Sequence, residues 1–84
     1  EEEAADANIE VFPSPSFTGD IHVSVKGIAG LEYIGIYNSM GRKIKEVATS
    51  SGQFVYFIND LPKGLHVLII RTRTKEYKRK ILVL

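Results

Sequence analysis

Residue types that build reaction centres are scarce in this 84-residue chain. It contains no cysteine, so neither disulfides nor thiolate-bound metals can hold the fold together, and apolar packing must do so alone. Its two histidines, His22 and His66, fall in the middle of β-like segments, away from any nucleophile motif. The glycines form neither a P-loop nor a dinucleotide fingerprint. We therefore expect no catalytic residue, no metal site and no cofactor.

Targeting and membrane-spanning segments are also missing from the sequence shown. The chain starts without methionine, has no cationic leader, and has no apolar run long enough to cross a bilayer. We therefore expect a piece of a longer protein that does not insert into a membrane. Its length fits one domain. A domain of this size can bury only about 60–65% of the surface that the unfolded chain exposes.

Acidic residues are concentrated at the start of the chain. Residues 1–10 carry five acids and no base, so residues 11–84 carry 11 bases and 5 acids, although the whole chain has a net charge of +1. With no large apolar side chain before Ile9, the first segment cannot offset the entropy lost on ordering. We predict a flexible acidic linker at residues 1–8 and a folded domain at residues 9–84.

The folded part shows strand periodicity. From Ile9 onward, apolar residues alternate or form short runs, and no window of eleven residues shows a convincing helical spacing. Glycine, proline and asparagine separate most of these segments at roughly 10-residue spacing. The pattern predicts an all-β fold of two antiparallel sheets packed as a sandwich, with a small Greek-key barrel of the OB type as the alternative. The seven predicted strands span residues 9–12, 21–25, 31–38, 42–48, 54–58, 65–73 and 76–84.

Two surface features leave alternatives open. The late strands are apolar on both faces, so the second face is either covered by the terminal segments or exposed to a partner, such as a second copy in a homodimer. Residues 71–80 contain six bases and one acid. We interpret them as solvated strand faces that guard sheet edges, and we expect no nucleic acid; an anionic partner such as lipopolysaccharide or an acidic protein is the alternative.

Four separated blocks resemble those of the type A C-terminal sorting domains found on cargo of the type IX secretion system. The blocks are "VFPSPSFTG", "IYNSMGRKI", "LPKGLHVLIIR" and "KRKILVL". Two positions depart from the family pattern, because Ser14 stands where asparagine is usual and His66 where tyrosine is usual. The matching residues in the first three blocks are Pro13, Pro15, Gly19, Ile36, Tyr37, Asn38, Gly41, Arg42, Leu61, Gly64 and Arg71.

The resemblance implies an immunoglobulin-like sandwich that works as a sorting signal without catalysis. Such a domain passes through the periplasm and is recognised by an outer-membrane translocon. A sortase-like peptidase commonly removes it upstream, and the cargo reaches the outer-membrane surface or is secreted. The alternatives are a surface adhesion or carbohydrate-binding module, or the uncleaved anchor domain of a secretion-machinery subunit.

The resemblance also directs attention to the two ends of the domain. We expect Pro13 and Pro15 to set the angle at which the linker meets the folded part. We also expect the terminal strand to carry the signal, because a strand at the end of a chain can lend its edge to a receptor. The candidate recognition residues are Lys80, Ile81, Leu82, Val83 and Leu84.

Overall fold

The computed structural model describes residues 8–84, so most of the linker predicted at residues 1–8 lies outside the described residues. The seven predicted strands are confirmed, and each boundary lies within one residue of its predicted position. No helix that could span a membrane occurs within residues 8–84. The strands are β1 Asn8–Phe12, β2 Ile21–Lys26, β3 Leu31–Asn38, β4 Lys43–Val47, β5 Val55–Ile58, β6 Gly64–Thr72 and β7 Glu76–Val83.

The strands form two antiparallel sheets. The three-stranded sheet has the order β1-β2-β5, and the four-stranded sheet has the order β4-β3-β6-β7. This arrangement confirms the predicted sandwich rather than the OB-type barrel. β1 and β7 lie on one side of the sandwich, and β4 and β5 lie on the other, where Lys45 Nζ donates a hydrogen bond to the carbonyl oxygen of Asn59.

The core lies between the sheets and is filled by alternate residues of each strand. Ile21, Val23 and Val25 form the inward face of β2, and all three are buried. The same holds for Ile34 and Ile36 of β3. With no disulfide available, this packing holds the two sheets together, at roughly 1.5–3 kcal/mol for each large aliphatic side chain that is fully buried.

The strands run between two ends of the sandwich, which we call the proximal end and the distal end. At the proximal end, Asn8 pairs with Lys26, and the Arg73 N–H donates to the Gly30 carbonyl at 3.1 Å. At the distal end, β1 finishes at Phe12 and β7 finishes at Val83. The expectation that the prolines set the linker angle is wrong, since the whole of β1 separates Asn8 from Pro13.

Candidate recognition surface at the distal end

The segment after β1 crosses from one sheet to the other. Pro13 and Pro15 both follow cis peptide bonds and lead to Ser16, which is fully buried. The Ser16 N–H donates to the Leu82 carbonyl, and the Leu84 N–H donates to the Ser16 carbonyl, both at 2.9 Å. Ser16 thereby connects the three-stranded sheet to the last strand of the four-stranded sheet.

The Ser16 side chain is fully hydrogen-bonded as well. Its Oγ donates to the Asp20 carbonyl and accepts from the Gly19 N–H, each at 3.0 Å. Because buried polar groups are costly unless they are paired, these bonds explain how a serine can lie at this position. They fold residues 16–20 into a compact turn against the end of β7.

Gly19 allows the first block, "VFPSPSFTG", to contact the third block, "LPKGLHVLIIR". Its φ of 88° is unfavourable for other residues, and a Cβ at this position would lie 2.5 Å from the Leu61 carbonyl oxygen. The Leu61 N–H donates to the Gly19 carbonyl at 2.9 Å. Next to this contact, the Asp60 N–H donates to Asp20 Oδ1 at 3.1 Å. The Leu-x-x-Gly block is therefore held in place by main-chain contact with the proline segment.

The second block forms the β3–β4 turn at the same end. Asn38 Oδ1 accepts the N–H groups of Met40 and Arg42, both at 3.0 Å. Gly41 has a φ of 87°, a conformation that glycine adopts readily, so both residues suit the turn. Across the sheet, Asn38 pairs with His66 on β6. All four sequence blocks therefore meet at the distal end.

The two histidines take structural positions in these strands. His66 is 3% exposed, and its Nε2 donates to the Pro62 carbonyl at 2.6 Å, while Nδ1 has no hydrogen-bond partner among residues 8–84. His22 lies half-buried on the outer face between the rings of Phe12 and Phe57, with centroid distances of 5.1 and 4.5 Å. No group of three or more potential metal ligands occurs in the part of the chain that the structure describes.

The terminal strand has an inner and an outer set of side chains. Ile81 and Val83 are buried in the core, whereas Lys80, Leu82 and Leu84 are exposed. The main-chain groups of Leu82 and Leu84 that point away from β6 are already bonded to Ser16. A receptor at this point of the strand would therefore meet side chains rather than a free backbone edge.

Exposed apolar side chains are concentrated at the distal end. Of the nine large hydrophobic residues that are exposed within residues 8–84, all but Phe54 and Val55 lie there. These side chains lie on both outer faces of the sandwich around this end, and exposed large apolar residues gathered in this way are typical of a surface that contacts another molecule. We call these seven residues the distal apolar surface: Phe12, Phe17, Met40, Phe57, Leu65, Leu82 and Leu84.

The second apolar face is therefore exposed at several positions rather than covered. Leu65 and Leu82 pair directly across β6 and β7 on the outer side of the four-stranded sheet, and their exposed fractions are 43% and 41%. Val55 and Phe57 occupy the outer side of the three-stranded sheet, and both are exposed. Within residues 8–84, no segment covers this face at these four positions.

The described residues form a two-sheet β-sandwich, and its four sequence motifs converge on an end with exposed apolar side chains. Residues 10–84 match the family of secretion system C-terminal sorting domains. The chain therefore belongs to this family and is a C-terminal secretion signal for the type IX system. Comparison with curated proteins and with solved structures gives no significant match.

Sequence reasoning found many residues of this end but not their contacts. Pro13, Pro15, Gly19, Asn38, Gly41, Leu61 and Gly64 all lie at the distal end, where the four blocks converge. It missed Ser16, although the sequence shows a small residue at this position, between the prolines and a glycine that favours a turn. It also missed the pairing of Leu65 with Leu82, although both belong to the apolar positions of the second face.

Proposed function

We propose that the type IX machinery contacts the distal apolar surface and, within it, the outward side chains of the terminal strand. The observation that supports this proposal is the convergence of four separated motifs on the end that holds most of the exposed apolar side chains. Lys80, Leu82 and Leu84 face outward and would meet the receptor. Ile81 and Val83 hold the strand in the core and thus present the other three.

The receptor is an outer-membrane translocon, reached from the periplasm. Apolar side chains that leave water at the centre of an interface supply most of its binding free energy, and charged residues at its rim give orientation. Leu65, Leu82 and Leu84 fit the central role, and Lys80 fits the rim. Recognition at this surface then delivers the parent protein to the cell surface or to the medium.

The cargo would be attached at the opposite end. β1 pairs with β2 from Asn8 onward, so the folded part begins at the proximal end. We take residues 1–8 as the linker and 9–84 as the sorting domain. A sortase-like peptidase that cuts upstream of Asn8 would leave β1 and the distal contacts of Ser16 in place, so the domain would remain folded after cleavage.

The domain is proposed to act without a chemical step, as a surface that is bound. Members of the sorting-domain family are in general non-catalytic.

A homodimer through the exposed face that contains Val55 and Phe57 is a further proposal, and sedimentation equilibrium of the isolated chain tests it. A concentration-independent monomer mass up to about 1 mM would contradict dimerisation.

Carbohydrate binding is the second candidate function. It is favoured by the row formed by Phe12, His22 and Phe57, because the two phenylalanine rings are exposed and aromatic rings are suited to packing against the apolar faces of sugars. Titration with neutral oligosaccharides, followed by the imidazole signals of His22, tests this candidate. Shifts that saturate and that disappear in Phe57→Ala would support it.

The experiment for the sorting proposal compares two pairs of substitutions with the same chemistry. The chain is fused behind a fluorescent reporter in a host with type IX machinery. Leu82→Glu with Leu84→Glu alters the distal surface, and Phe54→Glu with Val55→Glu alters exposed apolar residues at the proximal end. We expect export to fall at least tenfold for the distal pair only. Equal export of both variants, with both folded by circular dichroism, would contradict the proposal.

A further inference from the structure

A concave surface lies on the outer face of the four-stranded sheet. It is a groove of about 370 Å³ that crosses β3, β6 and β7. Half-buried Val67 and Ile69 form its floor, and Arg71 and Lys78 lie along it. The remaining lining residues are Tyr37, Asn38, Ser39 and Gly41. The volume is near the lower limit for sites that bind small ligands or short peptide segments.

One tyrosine beside the groove lies flat on the sheet because its neighbour is glycine. A Cβ at Gly35 would lie 2.7 Å from Tyr33 Cζ, so the ring occupies the space above this strand position. The Tyr33 and Tyr37 hydroxyls are hydrogen-bonded at 2.5 Å. Burial and the hydrogen bond with Tyr37 raise the pKa of Tyr33 above its ordinary value. Gly35 and Tyr37 together fix the Tyr33 ring.

The Tyr33 ring in turn positions Arg71. The two residues pair across β3 and β6, and the guanidinium carbon lies 4.8 Å from the ring centroid. Arg71 Nε donates to Glu76 Oε1 at 2.9 Å. Its terminal nitrogens make no hydrogen bond to residues 8–84 and remain available to a ligand. Such a fork binds a carboxylate through two parallel hydrogen bonds.

Positive charge is in excess along this side of the groove. Glu76 is the acid shared by Arg71 and Lys78, and its Oε2 is 3.8 Å from Lys78 Nζ. Lys80 follows on the same face, opposite Val67. The groove therefore offers an aliphatic floor next to an oriented guanidinium and two lysines. We propose that it binds an acidic peptide segment of a partner protein, with an aliphatic side chain on the floor and a carboxylate on Arg71.

The surroundings favour a peptide over a sugar acid or a lipid surface. The Tyr33 ring has Arg71 at 4.8 Å and Lys43 Nζ at 5.8 Å from its centroid, so it offers no free face on which a sugar could stack. Val67 and Ile69 form a recessed floor and do not project, as residues that insert into a bilayer would. A short extended segment with alternating acidic and aliphatic side chains satisfies both the floor and the charges.

This inference goes beyond the sorting function and is tested by titrating the full chain in an NMR experiment. The probe is a blocked tetrapeptide with two acidic and two aliphatic residues, added to about 5 mM to detect a Kd near 1 mM. We expect saturating shifts at the amides of Val67, Ile69 and Arg71. Arg71→Gln should weaken binding about tenfold or more, because a charge-assisted pair of hydrogen bonds is lost. Arg73→Gln, which makes the same change of charge at the proximal end, should leave the Kd unchanged.

A further variant tests the positioning of Arg71. Gly35→Ala leaves every charge in place but displaces the Tyr33 ring, and should weaken peptide binding severalfold. The proposal is overturned if the amide counterpart of the peptide binds equally well, or if Arg73→Gln weakens binding as much as Arg71→Gln. It is also overturned if glucuronate or anionic vesicles produce the same shifts more strongly, or if the acidic peptide produces no shift.

Discussion

Replacing Ser16 with alanine should destabilise the domain, although the change removes one oxygen atom. Ser16 is fully buried, and its Oγ bonds both the Gly19 N–H and the Asp20 carbonyl. In Ser16→Ala the Gly19 N–H remains buried without an acceptor, whereas the exposed Asp20 can be reached by water. The main-chain bonds from Ser16 to Leu82 and Leu84 do not depend on the side chain.

The expected loss follows from these contacts. A buried donor left without a partner costs about 1–3 kcal/mol, so the free energy of unfolding should fall by roughly 2 kcal/mol. A domain that spans residues 9–84 has roughly 4–11 kcal/mol of stability in total, so this is a large fraction. With an m value near 1 kcal/mol/M, the urea midpoint should fall by about 2 M, and Tm by roughly 10 °C.

The assay is urea unfolding followed by far-UV circular dichroism, with Ser14→Ala as the matched control. Ser14 is exposed, and its side chain makes no hydrogen bond within residues 8–84, so its replacement should leave the midpoint unchanged. Equal midpoints for Ser16→Ala and Ser14→Ala would refute the view that the buried, fully hydrogen-bonded Ser16 side chain stabilises the turn at residues 16–20.

Three other perturbations have expected outcomes. Gly19→Ala should lower stability by about 2 kcal/mol or more, because the φ is left-handed and the Cβ would meet the Leu61 carbonyl; unchanged urea unfolding would contradict this. The raised pKa of Tyr33 means that the folded state favours the protonated hydroxyl, so this contribution is complete below pH 10 and is lost as pH rises through the folded-state pKa. Unfolding at pH 8 and 11 should show a smaller loss in Tyr33→Phe than in the parent chain, and an equal loss would count against it. Deleting residues 80–84 removes two core side chains and both Ser16 partners, so the remainder should lose its cooperative unfolding transition, which differential scanning calorimetry detects.

Local chemistry explains why the strands could be predicted from the sequence. Alternation of Ile21, Val23 and Val25 identifies one face of β2, and the same rule identifies Ile34 and Ile36 of β3. The turn at Asn38 and Gly41 was predictable because an asparagine side chain and a glycine with positive φ are local properties. In each case the information lies within a few residues of the chain.

Contacts between distant segments could not be predicted in this way. The Ser16 bonds to Leu82 and Leu84 depend on how the two sheets are stacked, which no local pattern records. The position of Arg71 over Tyr33 depends on the β3–β6 register, which shifts between Leu31 and Tyr33. The prolines were assigned to the end where the linker enters. They lie at the distal end instead, because β1 runs from the proximal end to the distal end before the chain reaches Pro13.

The most direct test of the account asks which end of the domain touches the export machinery. A photo-activatable amino acid is placed at Leu82, on the distal apolar surface, or at Val55, on the opposite outer face and nearer the proximal end; both residues are 41% exposed. The reporter fusion is then irradiated during export in a host with type IX machinery. We predict a cross-link to the outer-membrane translocon from position 82 and none from position 55. Cross-linking of equal or greater yield from position 55 would contradict the assignment of the sorting signal to the distal end.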